Sequence, residues 1–182
     1  MRAVVVYESM YGNTRAVAEA IGEGLRGAWD VTVVPVGRAG PEVLDGVALV
    51  VVGGPTHVHG MARPRSRAMA AQVSRRPDSP LHLEDGAEGP GVREWLASLG
   101  HVNVLAAAFD TRTTGLAVLT GRASKHIGLE LGRHGAHLVR RPESFLVSGD
   151  ELVAGEEARA RRWGEQLAPV ITDLTPTQGS AS

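Results

Sequence analysis

Between the apolar run Ala3–Tyr7 and the helix-spaced residues Val17, Ala18, Ile21 and Leu25, the chain carries Glu8-Ser9-Met10-Tyr11-Gly12-Asn13-Thr14. These residue types suit anion binding at a strand-to-helix junction. Ser9, Tyr11 and Thr14 offer hydroxyl donors, Gly12 lets the backbone approach closely, and Thr14 reads as an N-cap that directs the free amides of the first helical turn outward. A hydrogen bond to a charged group contributes about 1.5–3 kcal/mol, against about 0.3–1 kcal/mol from a helix dipole, so amides and hydroxyls would dominate the affinity. Neither a lysine-bearing nucleotide loop nor a G-x-G-x-x-G turn is present here, which leaves a mononucleotide phosphate as the expected anion. The same residues also suit a plain turn in which Gly12 and Asn13 serve backbone geometry alone.

Two further segments could act beside that junction. In Gly53-Gly54-Pro55-Thr56-His57-Val58-His59-Gly60-Met61, the imidazole of His57 or His59 and the Met61 thioether suit a flat aromatic ligand. Gly-Gly-Pro is equally an ordinary strand breaker. The His-x-His spacing has no convincing third ligand, so no metal is expected. In Phe109-Asp110-Thr111-Arg112-Thr113-Thr114-Gly115, Asp110, Thr111 and Thr114 can hydrogen-bond a polar ligand edge, Arg112 can neutralise charge, and Asp110-Thr111 also suits a turn cap.

The elements that must position these residues alternate along the chain. Short β-branched runs at Ala3–Tyr7, Val31–Val36, Val47–Gly53, Val102–Phe109 and His137–Val147 are separated by stretches of helical spacing, the pattern of a parallel sheet covered by helices. The first, third and fourth runs are nearly continuous in apolar residues and belong at the centre. Pro35 in the second run and Arg140-Arg141-Pro142 in the fifth place those two at the edges. Helices are expected from Thr14 to a stop at Gly27, over Leu119–Arg133 and over Gly155–Leu167, with shorter ones within Ala62–Arg76 and Val92–Leu99. Pro77–Gly91 reads as a surface excursion. Residues 1–171 then form one domain, and 172–182 a polar tail.

Composition narrows the function. The chain has 182 residues, and 43% hydrophobic content is ordinary for a folded globular domain. Nineteen basic and twenty acidic residues give a net charge of −1, so no strong field gathers nucleic acid or anionic lipid. With no cysteine, thiolate chemistry and iron–sulfur clusters are excluded, and redox chemistry requires a cofactor. No apolar run approaches the roughly 18 residues that cross a bilayer, so a cytoplasmic protein without membrane partners is expected. Trp95, Trp163 and the histidines at 101, 126, 134 and 137 read as packing or surface residues. Glu156-Glu157 with Arg159, Arg161 and Arg162 reads as a solvated helix face.

The run Val5-Val6-Tyr7-Glu8-Ser9-Met10-Tyr11-Gly12-Asn13-Thr14, with Ala18 and Ile21, resembles the FMN phosphate signature of the flavodoxin family. Ser9-Met10-Tyr11-Gly12 is particularly similar to FMN-dependent quinone reductases and flavodiiron flavodoxin modules, and Gly53-Gly54-Pro55-Thr56 is similar to the family's flavin-lining loop. The resemblance implies a three-layer, doubly wound α/β fold with a five-stranded parallel sheet in the order 2-1-3-4-5. Its switch point lies between strands one and three, where ligands bind at the strand C-termini. It implies FMN as cofactor, with the phosphate held by Ser9, Tyr11, Gly12, Asn13 and Thr14 and with Met10 in the same cofactor-binding loop. The ring would lie along Pro55, Thr56 and His57, the backbone of the loop His57, Val58, His59 and Gly60 would hydrogen-bond at flavin N5, and Phe109, Asp110, Thr111 and Thr114 would form the opposite wall. Family carriers usually cover the flavin with Tyr or Trp in that last loop, and here none stands between Asp110 and Gly121.

Three functions follow from the resemblance. One is an electron carrier that meets a redox partner protein. Another is a small reductase using NAD(P)H and an acceptor such as a quinone. The third is a flavodoxin-like regulatory module that has lost FMN.

Overall fold

The computed structural model describes residues 1–57, 60–115 and 121–168. Five long strands set the architecture: β1 (Arg2–Tyr7), β2 (Asp30–Pro35), β3 (Val47–His57), β5 (Leu105–Thr113) and β7 (Glu143–Ser148). They pair in parallel as β2-β1-β3-β5-β7, the expected order, and three short strands extend the sheet. β4 (Gly60–Met61) runs antiparallel to the end of β3, β6 (His137–Leu138) lies beside the start of β5, and β8 (Glu151–Leu152) forms a hairpin with β7.

Alternation along the central strands separates two cores. Val4, Val6, Val50, Val52, Ala106 and Ala108 face one layer, in which α3 (Val92–Ser98) contributes Trp95 and Leu96 and α4 (Ala123–Arg133) contributes Ile127 and Leu131. Ala3, Val5, Val51, Ala107 and Phe109 face the other. There they meet Val17, Ile21 and Leu25 of α1 (Asn13–Leu25), and Trp163 and Leu167 of α5 (Glu156–Leu167). The α1 and α5 backbones touch: a Cβ at Gly24 would run into the Arg161 carbonyl, and one at Gly164 into that of Ile21. Helix α2 (Pro64–Ser74) buries little beyond Arg67 and Ala71.

Several boundaries differ from expectation. β3 continues through Pro55-Thr56-His57 and β5 through Asp110–Thr113, so residues expected in loops lie on strands. The two extensions support each other in register, with Gly54 opposite Asp110 and Pro55 opposite Thr111. β5 begins at Leu105, after the apolar Val102 and Val104. The fifth run is split at Arg140-Arg141-Pro142 into β6 and β7. The N-cap of α1 is Gly12, with Thr14 inside the first turn, because Gly12 takes a left-handed φ of 98°. Helix α1 ends at a right-handed Arg26, and Gly27 does not adopt the left-handed stop. The Glu156 and Arg159 side chains are tied into the fold: Glu156 Oε2 accepts the Leu146 N–H at 2.7 Å, and Arg159 lies 4.4 Å over the Phe145 ring.

Candidate functional site

The C-terminal ends of β1, β3 and β5 stand side by side, with Tyr7 opposite Gly53 and Pro55 opposite Thr111. A cleft of about 180 Å³ opens there, between Ser9–Thr14, Pro55-Thr56-His57, Thr111–Thr113 and the β7–β8 hairpin residues Val147, Gly149 and Asp150. At its floor, the turn from β1 into α1 leaves donors open. The first backbone bond of α1 runs from Ala16 N–H to the Gly12 carbonyl. Among the described residues, the N–H groups of Met10, Tyr11, Asn13, Thr14 and Arg15 have no internal acceptor.

Two hydroxyls add to these amides. Ser9 Oγ accepts the Gly12 N–H at 3.2 Å, which leaves its own proton available. Thr14 and Thr111 share a hydrogen bond at 2.7 Å, which uses one of their two hydroxyl protons and fixes the cradle to β5. The resulting set of amides and hydroxyls around a left-handed glycine fits a phosphate.

Other predicted residues serve different ends. The Tyr11 hydroxyl donates to the Ala70 carbonyl at 2.8 Å, and burial, then Asp150, push its pKa up. It therefore anchors α2, and its hydroxyl is not directed to a phosphate. Asn13 Nδ2 donates to the Asp150 carbonyl at 2.8 Å and holds the hairpin over the cradle. Thr56 Oγ1 accepts the Ala123 N–H at 2.9 Å, satisfying the start of α4 while the residue still lines the cleft.

Three predicted residues lie away from the cleft. Phe109 is fully buried, its ring against Gly53 and edge-on to Phe145 at 6.2 Å, because it falls on the core-facing side of β5. Asp110 is equally buried and accepts the Ser124 N–H at 2.7 Å, which makes it a helix anchor. Thr114 is exposed, its N–H donating to the Val147 carbonyl. Val58 and His59 lie outside the described residues.

Beyond Pro55 and Thr56, His57 borders a second cavity of about 680 Å³, which Gly60 and Met61 also line. Burial, and then the Arg67 charge, hold its imidazole below the usual histidine range, so His57 is neutral near pH 7.

Sequence reasoning missed two contributors. The hairpin was signalled by Gly149-Asp150 between Val147 and Leu152, a two-residue turn with Gly149 at φ 60°. The other is the 77–91 segment, which packs against the cradle through Glu84. The Glu84 N–H donates to the Met10 carbonyl at 2.9 Å, and its carboxylate pairs with Arg15 at 2.9 Å. Where the segment meets α3, Glu8 accepts the Val92 N–H at 2.9 Å, and Arg67 pairs with Glu94 at 3.0 Å and with Glu8 at 3.7 Å. No sequence pattern announces such long-range pairs.

Residues 5–81 match the family model for flavodoxin, a span that holds both the cradle and the Gly53–His57 wall. Over that span the chain is similar to flavodoxins. FMN is the cofactor that this match indicates, and the open amides, the Ser9 hydroxyl and the left-handed Gly12 fit its phosphate. The fold is similar to that of a flavodoxin from the domain Archaea, with 23% identity, a TM-score of 0.66, and 94% of this chain and 99% of that one covered. It is also similar to a flavodoxin, WrbA-like protein from Agrobacterium tumefaciens, with 20% identity, a TM-score of 0.61 and coverage of 96% and 99%. A flavodiiron core from Synechocystis matches at 17% identity and a TM-score of 0.61, covering 96% of this chain and 37% of that one. Comparison with curated proteins finds no match. Among the described residues no helix of the chain is long and apolar enough to cross a membrane, and no group of three or more His, Asp or Glu is placed to hold a metal ion.

Proposed function

We propose that this flavodoxin-family, FMN-binding redox protein is a small reductase that passes electrons from NAD(P)H to a small acceptor. The supporting observation is the cavity of about 680 Å³ beyond His57, within the range of roughly 300–1,000 Å³ typical of small-molecule sites. A carrier that exchanges electrons with a protein partner needs only an exposed flavin edge, whereas a reductase needs room beside it. Among the described residues no carboxylate lines this cavity, in contrast to the acidic docking face typical of carriers.

FMN, when bound, supplies the one- or two-electron chemistry. The chain's residues bind and orient it. The amides of Met10, Tyr11, Asn13, Thr14 and Arg15 and the hydroxyls of Ser9 and Thr14 would hold the phosphate. Thr111, fixed to Thr14, sets the distance between the cradle and the far wall. Pro55 and Thr56 form the near wall, and neutral His57 presents a hydrogen-bonding imidazole without an added charge.

Purified holoprotein should oxidise NAD(P)H in the presence of a quinone in steady state. No turnover with retained FMN would leave the carrier function. Failure to bind FMN at high concentration would leave a regulatory module.

A further inference from the structure

The second cavity has a chemical character that its size does not require. Arginines from two helices converge on it, Arg63 and Arg65 at the start of α2 and Arg93 from α3, with His57 from the end of β3 and His126 from α4 completing the wall. Among the described residues the remaining lining is Gly60, Met61, Ser66 and Met69, with no carboxylate to neutralise the arginines.

The arginines are not used alike. Arg93 is spent on the fold, its guanidinium donating to the Met61 and Ala62 carbonyls, which fixes the β4 end of the cavity. Among the described residues Arg63 and Arg65 are exposed, with no ion pair and no side-chain hydrogen bond. Elsewhere Arg15, Arg67, Arg75, Arg133 and Arg159 each face a glutamate. The start of α2 adds to the positive potential. Pro64 has no N–H, Ser66 Oγ is engaged with the Arg63 backbone at 2.9 Å, and the first helical bond begins only at the Arg67 N–H, leaving those of Arg65 and Ser66 open. At the opposite wall His126 packs close to Gly60, at 3.6 Å from where a Cβ would stand.

We propose that this cavity is the substrate site, and that it selects a small molecule carrying a phosphate, carboxylate or sulfonate group held by Arg63 and Arg65. The anionic group sits at the α2 end, the apolar body lies along Met61 and Met69, and the far end reaches His57, which also borders the cofactor cleft. Guanidinium pairs bind oxyanions in a fork geometry that a neutral analogue cannot use, so charge sets the preference while the methionines tolerate varied shapes. The inference rests on the reductase function. The shared chemistry could come from the phosphates of the nicotinamide donor or from an anionic acceptor.

The test is calorimetric, on FMN-loaded and FMN-free protein without reductant, so that binding is read apart from turnover. The probes are anthraquinone-2-sulfonate, its neutral counterpart 2-(hydroxymethyl)anthraquinone, and adenosine 2′,5′-bisphosphate. At least one anionic probe should bind roughly tenfold more tightly to the wild type than to Arg63→Gln/Arg65→Gln, with the preference fading in high salt. Both changes are at exposed positions, and unchanged FMN affinity and thermal midpoint would show an intact variant. Preference for the sulfonate over the neutral quinone points to an anionic acceptor, and preference for the bisphosphate to the donor. Equal binding of charged and neutral probes, or binding of the anions that the double variant leaves unchanged, would overturn the proposal. If the neutral quinone were still turned over, the reductase function would stand without it. Loss of FMN binding in wild type, with anion binding to the FMN-free protein intact, would instead remove the reductase function and leave an anion site.

Discussion

Arg15 Nε lies 2.9 Å from Glu84 Oε1, and that carboxylate oxygen lies 3.8 Å from where a Cβ on Gly12 would stand. The 77–91 segment therefore places a negative charge at the rim of the phosphate cradle and occupies the arginine that follows it. A carboxylate so close to an incoming phosphate opposes it, and an arginine released from the carboxylate would favour it.

Glu84→Gln should accordingly raise FMN affinity by roughly three- to tenfold, since partly exposed charge pairs are worth about 1 kcal/mol. Titration of flavin fluorescence with the cofactor-free protein measures it. The gain should shrink at high salt, because the pair is screened. Unchanged affinity at low salt would mean that the carboxylate does not sense the phosphate.

The Thr14–Thr111 bond makes Thr14 both a donor and a strut. Thr14→Ala removes a hydroxyl from the cradle and should weaken FMN binding roughly tenfold or more, as expected for a hydrogen bond to a charged group. Thr14→Ser keeps the hydroxyl and should retain most of the affinity. Equal loss in both variants would assign the effect to the threonine methyl and its packing.

Gly12 caps α1 at φ 98°, where a side chain meets little but strain. Gly12→Ala should destabilise the fold by about 1–2 kcal/mol, the cost of a left-handed conformation for an L-residue. A shift of the urea midpoint to lower concentration without a change in slope would report it. An unshifted midpoint would mean that the turn relaxes to another conformation.

Much of this arrangement is legible in the residues themselves. Val4–Val6 and Val50–Val52 mark buried parallel strands by composition alone, and the hydroxyls around Gly12 mark the cradle. What failed to show is of two kinds. Strand ends are hidden because Gly53-Gly54-Pro55 and Asp110-Thr111 carry breaker and turn preferences, yet their mutual register outweighs local propensity. Phe109 reads as a cleft residue because it opens the loop expected after the fourth strand, yet strand alternation turns it into the core with Phe145. Long-range polar pairs such as Arg15–Glu84 and Glu8–Arg67 leave no periodic trace at all, since each partner lies in a segment whose own pattern serves something else.

Two buried glutamates should respond to acid in opposite senses. Burial pushes the Glu156 carboxyl up, but hydrogen bonds from Arg159 and the Leu146 N–H outweigh it and hold the net pKa below the usual range. Its contribution is therefore complete above the ordinary glutamate value and is lost as pH falls through the lowered one. For Glu8, burial dominates over the Val92 N–H and Arg67 and holds the carboxyl above its ordinary value. The folded state then binds the extra proton, and stability falls as pH rises from the ordinary value through the raised one. Glu156→Gln should lessen the acid sensitivity of folding below the ordinary glutamate pKa, while Glu8→Gln should remove a decline that sets in above it. Urea midpoints across pH 3–7 for wild type and both variants test the pair of signs, roughly spanning the carboxylate range. Parallel changes in the two variants would mean that Arg67 compensates Glu8 more strongly than their 3.7 Å separation indicates.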